Sequence, residues 1–96
     1  MQRTERKPLF DLGQLVATPG ALAALEKTGQ NATEFLSRHV RGDWGDLPEE
    51  DKTENQLSLD KGFRLLSCYR TTANEKIWVI TEAGRSHTTL LLPDEY

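Results

Sequence analysis

The stretch from Gly62 to Pro93 constrains this chain more than any other. It reads GFRLLSCYRTTANEKIWVITEAGRSHTTLLLP, three apolar and β-branched runs separated by two breaks of turn-forming residues. Side chains alternate across a strand. In Phe63–Arg70, Phe63, Leu65, Ser67 and Tyr69 therefore point one way, and Arg64, Leu66, Cys68 and Arg70 the other. Lys76–Glu82 pairs back, with Ile77, Val79 and Thr81 on one face and Trp78 and Ile80 on the other. His87–Leu92 is the third strand, and Pro93, which has no N–H to give to a ladder, stops it. Loops as short as 71–75 and 83–86 join antiparallel neighbours. The pattern predicts a three-stranded antiparallel meander. Neither face is purely polar. One must carry helices; the other keeps Leu66, Cys68, Trp78 and Ile80 and is either partly covered or an interface.

Upstream, helices are expected to supply the cover. A short strand at Gln14–Ala17 follows Gly13. Thr18-Pro19-Gly20 starts a helix: threonine caps, and proline at the first helical position wastes no donor. Ala21–Lys27 is rich in strong helix formers, and Gly29 sits where a left-handed C-terminal cap belongs. Asn31, with Glu34 three residues on, predicts the capping box of a second helix. That helix carries Phe35, Leu36, His39 and Val40 on one side and ends at Gly42, completing an αα-hairpin. A loop, GDWGDLP, leads to a third helical piece expected from Pro48 to about Gln56, with Asp46 as its cap and Glu49, Glu50 and Asp51 at the positive end of its dipole. Leu57–Lys61 reads equally as helix or strand. The fold class expected is α+β. Residues 1–8 are expected to be disordered and 9–96 to form one small domain.

Size and charge narrow the function. A 96-residue chain builds one modest core, which favours a shallow site or a flat binding face over a two-lobed cleft. The net charge is −3, and the basic residues are dispersed apart from Arg3, Arg6 and Lys7, so nucleic acid is an unexpected partner. Acidic residues gather in Asp43–Glu54, which suits a partner with a basic surface as well as it suits a solvated face. One cysteine permits no disulfide within the chain and fits a reducing cytoplasm. No apolar run approaches a membrane span, and no secretory signal opens the sequence. No cofactor or metal is expected.

The residues worth testing for chemistry are few. His39 precedes Asp43 by four and Asp46 by seven; the three either form an acid–base or metal cluster, or His39 simply packs at its helix end against the loop. Trp44, between two aspartates and two glycines, either plugs the core under the loop or stands out as a binding anchor. Arg64, Arg70, Arg85 and His87 spread over the strands and turns, where Glu75 and Glu82 make cross-strand ion pairs the ordinary reading. Cys68 reads as a small buried hydrophobe.

The runs ATPGALAALEKTGQ, FLSRHVRGDWGDL, EDKTENQLSLDKGFRLLSCYR and KIWVITEAGRSHTTLLLPDEY resemble a family of small bacterial proteins tied to plasmids and integrative elements. GDWGDL, WVITEAGRS and TTLLLPDEY are its most specific stretches. Members are called plasmid-related proteins or, loosely, type I restriction endonuclease subunit M. That label is not literal here, since a methyltransferase subunit needs a cofactor-binding domain and a catalytic motif. The resemblance implies a mobile-element accessory protein and carries no catalytic residues with it. A second likeness is one of layout: a strand, an αα-hairpin and an antiparallel sheet are similar to RelE/ParE-type toxins. It would make Arg64, Tyr69 and Arg85 the RNA-cleaving side chains, although this chain is acidic where such ribonucleases are basic.

Three functions follow as expectations. The first is a non-enzymatic accessory protein that binds another protein through Asp43, Trp44, Asp46, Glu49 and Glu50, such as an inhibitor of a host nucleic-acid-directed defence system. The second is a RelE-like ribonuclease. The third is a small domain that forms homodimers through its sheet edge or open sheet face.

Overall fold

The computed structural model describes residues 8–96. The basic run Arg3, Arg6, Lys7 and, Pro8 apart, the expected disordered segment lie outside the described residues. In chain order the elements are β1 (Gln14–Ala17), α1 (Pro19–Thr28), α2 (Ala32–Val40), α3 (Glu49–Lys61), β2 (Leu65–Arg70), β3 (Lys76–Thr81) and β4 (His87–Leu91). Short 3-10 turns at Ala83–Arg85 and Pro93–Glu95 complete the chain.

The class is α+β, as the pattern predicted, but the sheet is not a pure meander. Its order is β1-β4-β3-β2. β2, β3 and β4 are antiparallel neighbours, whereas β1 joins β4 in parallel, with Leu15 opposite Thr88 and Ala17 opposite Leu90. The result is a four-stranded mixed sheet. Gly13 makes the junction possible: its φ is 67°, and a Cβ there would overlap the Ser86 carbonyl.

Helix starts follow local chemistry. Thr18 accepts the Ala21 N–H at 3.2 Å, and Asn31 accepts the Thr33 N–H at 2.9 Å. The expected capping box does not close, because the Glu34 carboxylate takes the Gln30 amide instead, at 2.9 Å. Asp46 does not cap α3. Pro48 occupies that position with no side-chain bond, and Asp46 is drawn to Arg70. The ambiguous stretch Leu57–Lys61 is helical, and α3 runs on to Gly62 in the left-handed region.

The core lies between one sheet face and the α1–α2 hairpin. Ala21, Ala24 and Leu25 from α1 and Phe35 and Leu36 from α2 bury against Tyr69, Ile77, Val79 and Leu90. Phe35 stacks on Tyr69 with ring centroids 5.5 Å apart. The alternation read from the strands holds: Leu65, Ser67, Tyr69, Ile77, Val79 and Thr81 share this face and are almost wholly buried.

α3 docks differently. It faces the β2 edge with Asn55 and Ser58, both buried, and no apolar stripe. Asn55 donates to the Leu66 carbonyl at 2.6 Å and accepts the Leu66 N–H at 3.1 Å, acting as a side-chain substitute for a neighbouring strand.

Candidate functional site

The GDWGD loop between α2 and α3 is the most distinctive stretch of the sequence, and its backbone explains its composition. Gly45 has φ 77° and forms a parallel bridge with Cys68; a Cβ on it would overlap the Cys68 carbonyl. The Cys68 N–H donates to the Trp44 carbonyl at 3.0 Å, and the Asp46 N–H to the Cys68 carbonyl at 2.7 Å. Together with Asn55, the loop thus closes the free edge of β2 at Leu66 and Cys68.

Each loop side chain adds to this closure. Arg38 bonds Asp43 through two nitrogens, at 2.7 and 3.3 Å. The Arg38 guanidinium is the chief reason that the Asp43 carboxyl sits below its ordinary pKa. The Tyr69 hydroxyl donates to the Asp43 carbonyl at 2.6 Å, and burial raises that phenol's pKa. Arg70 bonds Asp46 at 3.0 Å. Trp44 is buried, not an exposed anchor: Phe10 stacks on it at 6.3 Å and His39 meets it edge-on at 5.8 Å. Burying so large a ring against aromatic neighbours outweighs any gain from leaving it in water. Of the five residues expected to bind a protein, Asp43 and Asp46 are paired and Trp44 is internal. Asp43 and Asp46 stay exposed to solvent although each has an arginine partner, and Glu49 and Glu50, at the start of α3, are exposed as well.

His39 joins neither aspartate. It is fully buried, with Nδ1 2.6 Å from Ser67 Oγ and Nε2 2.9 Å from Thr81 Oγ1. Thr81 Oγ1 lies 2.7 Å from Thr88 Oγ1, which donates to the Leu12 carbonyl at 2.7 Å. Counting protons fixes the tautomer. Thr88 spends its proton on Leu12, so Thr81 donates to Thr88 and must accept from His39 Nε2–H. Nδ1 then accepts from Ser67. Burial first, and the positive charge of Arg85 second, hold the imidazole pKa down to about 3. The histidine is a neutral internal linchpin. Among the described residues no group of three metal-ligating side chains gathers.

The arginines lie apart. Arg85 sits at φ 62°, rare for a residue with a Cβ, and is held there by the carbonyls it binds: Phe63 at 2.6 Å, Ser58 at 3.1 Å and Glu82 at 3.3 Å. The expected cross-strand ion pairs with Glu75 and Glu82 do not form. Arg85 prefers the carbonyls at the α3 end, Arg70 prefers Asp46, and Glu75 reaches Lys27 at 3.9 Å. Arg64 lies on the outer sheet face, 5.6 Å over the Tyr96 ring. Tyr69 is on the opposite, buried face. Arg64, Tyr69 and Arg85 therefore share no cleft. Cys68 is buried, which raises its thiol pKa.

An open groove of about 400 Å³ lies at the loop, between the Arg38–Asp43 and Arg70–Asp46 pairs, and further relief is on the outer face. Arg64, Leu66, Trp78, Ile80 and Tyr96 line a shallow, mainly apolar groove of about 220 Å³. The Pro93–Glu95 turn carries Tyr96 there, and its ring meets Trp78 edge-on at 5.7 Å. A second groove of about 220 Å³ continues from the same Arg64 and Leu66 along Asp51, Glu54 and Leu47 of the α3 side. Meeting at Arg64 and Leu66, they make a furrow with an apolar half and a half where Asp51 and Glu54 stand with the Arg64 guanidinium. Sequence reasoning singled out Trp78, Ile80 and Leu66, and took in Asp51 and Glu54 only as part of the acidic stretch Asp43–Glu54, but missed Tyr96. The signal for the acids was their i, i+3 spacing, which sets them on one side of the helix.

The fold and furrow define a small α+β domain with a mixed sheet and a two-character surface groove. No family model, no curated protein and no solved structure matches the chain. Among the described residues no helix is long and apolar enough to cross a membrane.

Proposed function

We propose that this chain is a non-enzymatic binding protein of a mobile genetic element that acts by protein–protein contact. The observation that carries this reading is the furrow, where half-buried Asp51 and exposed Glu54 of α3 adjoin an apolar floor of Trp78, Ile80 and Leu66. Apolar area supplies affinity and the acidic wall supplies steering and orientation toward a basic surface. Proteins that handle nucleic acid offer such surfaces, so a component of a host nucleic-acid-directed defence system is the partner class proposed. The side chains most able to do chemistry support the same reading. His39, Tyr69 and Cys68 are buried, and Arg85 is committed to carbonyls.

The experiment is affinity capture from host lysate with the wild-type chain, the Asp51→Asn/Glu54→Gln variant and the Trp78→Ser variant. The expected result is a basic protein captured by the wild type, released by raised salt and lost with both variants. Capture that neither variant weakens would remove the furrow from the function.

A further inference from the structure

The two edges of the sheet are treated in opposite ways. On β2, the outward groups of Leu66 are taken by Asn55 and those of Cys68 by the GDWGD loop. On β1, Gln14 and Thr18 send their N–H groups inward to Ser86 and Leu90 of the β4 side, at 3.0 Å each. Strand alternation then turns the N–H and C=O groups of Leu15 and Ala17 outward. Leu15 is 54% exposed and Val16 42%. The strand QLVA contains no charge, no proline and no bulge, three of the devices that protect an edge, and its protection is limited to its four-residue length.

We propose that β1 is a self-association edge, occupied by β1 of a second copy of this chain in antiparallel pairing about a two-fold axis at Val16. The register is self-complementary. Leu15 of one protomer exchanges two hydrogen bonds with Ala17 of its partner, and Ala17 with Leu15, so all outward groups of both strands are satisfied. Val16 meets Val16 at the axis in the closer, non-hydrogen-bonded pairing. The product is one continuous eight-stranded sheet.

Charge favours a second copy as the occupant. A strand of Gln14, Leu15, Val16 and Ala17 has no charged side chain with which to select a foreign partner. The acidic α3 packs at β2, the far edge, so pairing through β1 sends the two acidic helices to opposite ends of the double sheet. The two β2 strands would lie seven strand spacings apart, roughly 34 Å. That is about four Debye lengths at physiological salt, so repulsion between the two acidic helices hardly opposes the contact. The interface is small. A four-residue strand buries less than the ~1,200–2,000 Å² of a standard specific interface, so the dimer is weak and appears as concentration rises.

Sedimentation equilibrium from about 1 µM to about 1 mM tests this. The expected wild-type mass rises from the 10.9 kDa of one chain toward twice that value. Leu15→Pro removes one outward N–H and no bond to β4, and Leu15→Lys places a charge beside its own copy across the axis. Both should raise the dimer dissociation constant at least tenfold while the circular dichroism spectrum is unchanged. Glu50→Lys, at the far edge, should leave it unaltered. Amide exchange at Leu15 and Ala17, but not at Val16, should slow as concentration rises. A wild-type chain that stays monomeric throughout, or that pairs only with an added foreign strand peptide, overturns the proposal. So does a Leu15→Pro variant that is well folded and dimerises like the wild type.

Discussion

Acidification tests the reading of His39 in energetic detail. In the unfolded chain its pKa is about 6.5, and in the fold it is about 3, because burial and then Arg85 disfavour the cation. Above pH 6.5 neither state binds a proton there, and the neutral network is fully available. Between the two pKa values the unfolded state binds one proton and the folded state none, so stability falls as pH falls. The slope is about 1.4 kcal/mol per pH unit, which accumulates to roughly 3 kcal/mol by pH 4. That is a large share of the ~5–15 kcal/mol typical of a domain. Asp43, held below its usual pKa by Arg38, also loses stabilisation in acid, so the wild-type curve alone is ambiguous. His39→Gln separates them. Its amide donates to Thr81 and accepts from Ser67 but does not titrate in this range, while Asp43 is left as it was. Urea unfolding of both proteins at pH 7, 6, 5 and 4 should show the stability difference between them shrinking by about 1.4 kcal/mol per unit below pH 6. Parallel curves would refute the argument, as would an imidazole NMR signal for His39 that titrates near pH 6 in the folded protein.

Three further substitutions probe the seams of the fold. Gly45→Ala drives a methyl group into the Cys68 carbonyl at a positive φ and should cost about 2–4 kcal/mol in chemical unfolding, with faster exchange of the Cys68 amide as the loop detaches. Asn55→Leu keeps the side-chain size but strands the Leu66 N–H and C=O; a loss of about 2–4 kcal/mol is expected in the same assay, against a near-neutral result if α3 docks by apolar contact instead. Arg85→Gln releases the Ser58 and Phe63 carbonyls and should destabilise by about 1–3 kcal/mol. It should also raise the His39 pKa by removing the nearby charge, which a flatter acid-unfolding curve would reveal.

Much of the architecture was legible because it rests on local rules. Alternation put Leu65, Ser67, Tyr69, Ile77, Val79 and Thr81 on one face, and the fold keeps them there. Thr18, Pro19 and Gly29 bounded α1 as their chemistry requires. What escaped was non-local. Nothing in QLVA says that it lies parallel to β4 rather than beside β2, since register is decided by the crossover that the helices make. α3 escaped past Gln56 because its docking face is Asn55 and Ser58, and hydrophobic periodicity is blind to a helix held by hydrogen bonds. The loop aspartates are exposed, as their composition suggests, but their pairing escaped, because Arg38 and Arg70 come within reach only after α2 and β2 meet the loop.

One inference was nonetheless within reach of the sequence. The pattern assigned Ser67, Thr81 and His39 each to the apolar side of its own element, three polar residues on three core-facing stripes. A lone buried hydroxyl or imidazole costs more than a hydrogen bond returns, so a core that accepts one must place a partner beside it. Three such residues on elements that pack together should therefore meet one another, and they do, with Thr88 completing the chain to the Leu12 carbonyl. The same logic sorts the exposed surface. The core hydroxyls and the His39 imidazole find internal partners, with the Trp44 indole N–H the exception among the described residues, and the β2 edge is closed at Leu66 and Cys68 by Asn55 and the GDWGD loop. Two features of the described surface lack such internal answers: the furrow beside Arg64 and the outward backbone of Leu15 and Ala17. The contact function proposed above has its physical opening at those two places, one on the outer face and one on the β1 edge of one small sheet.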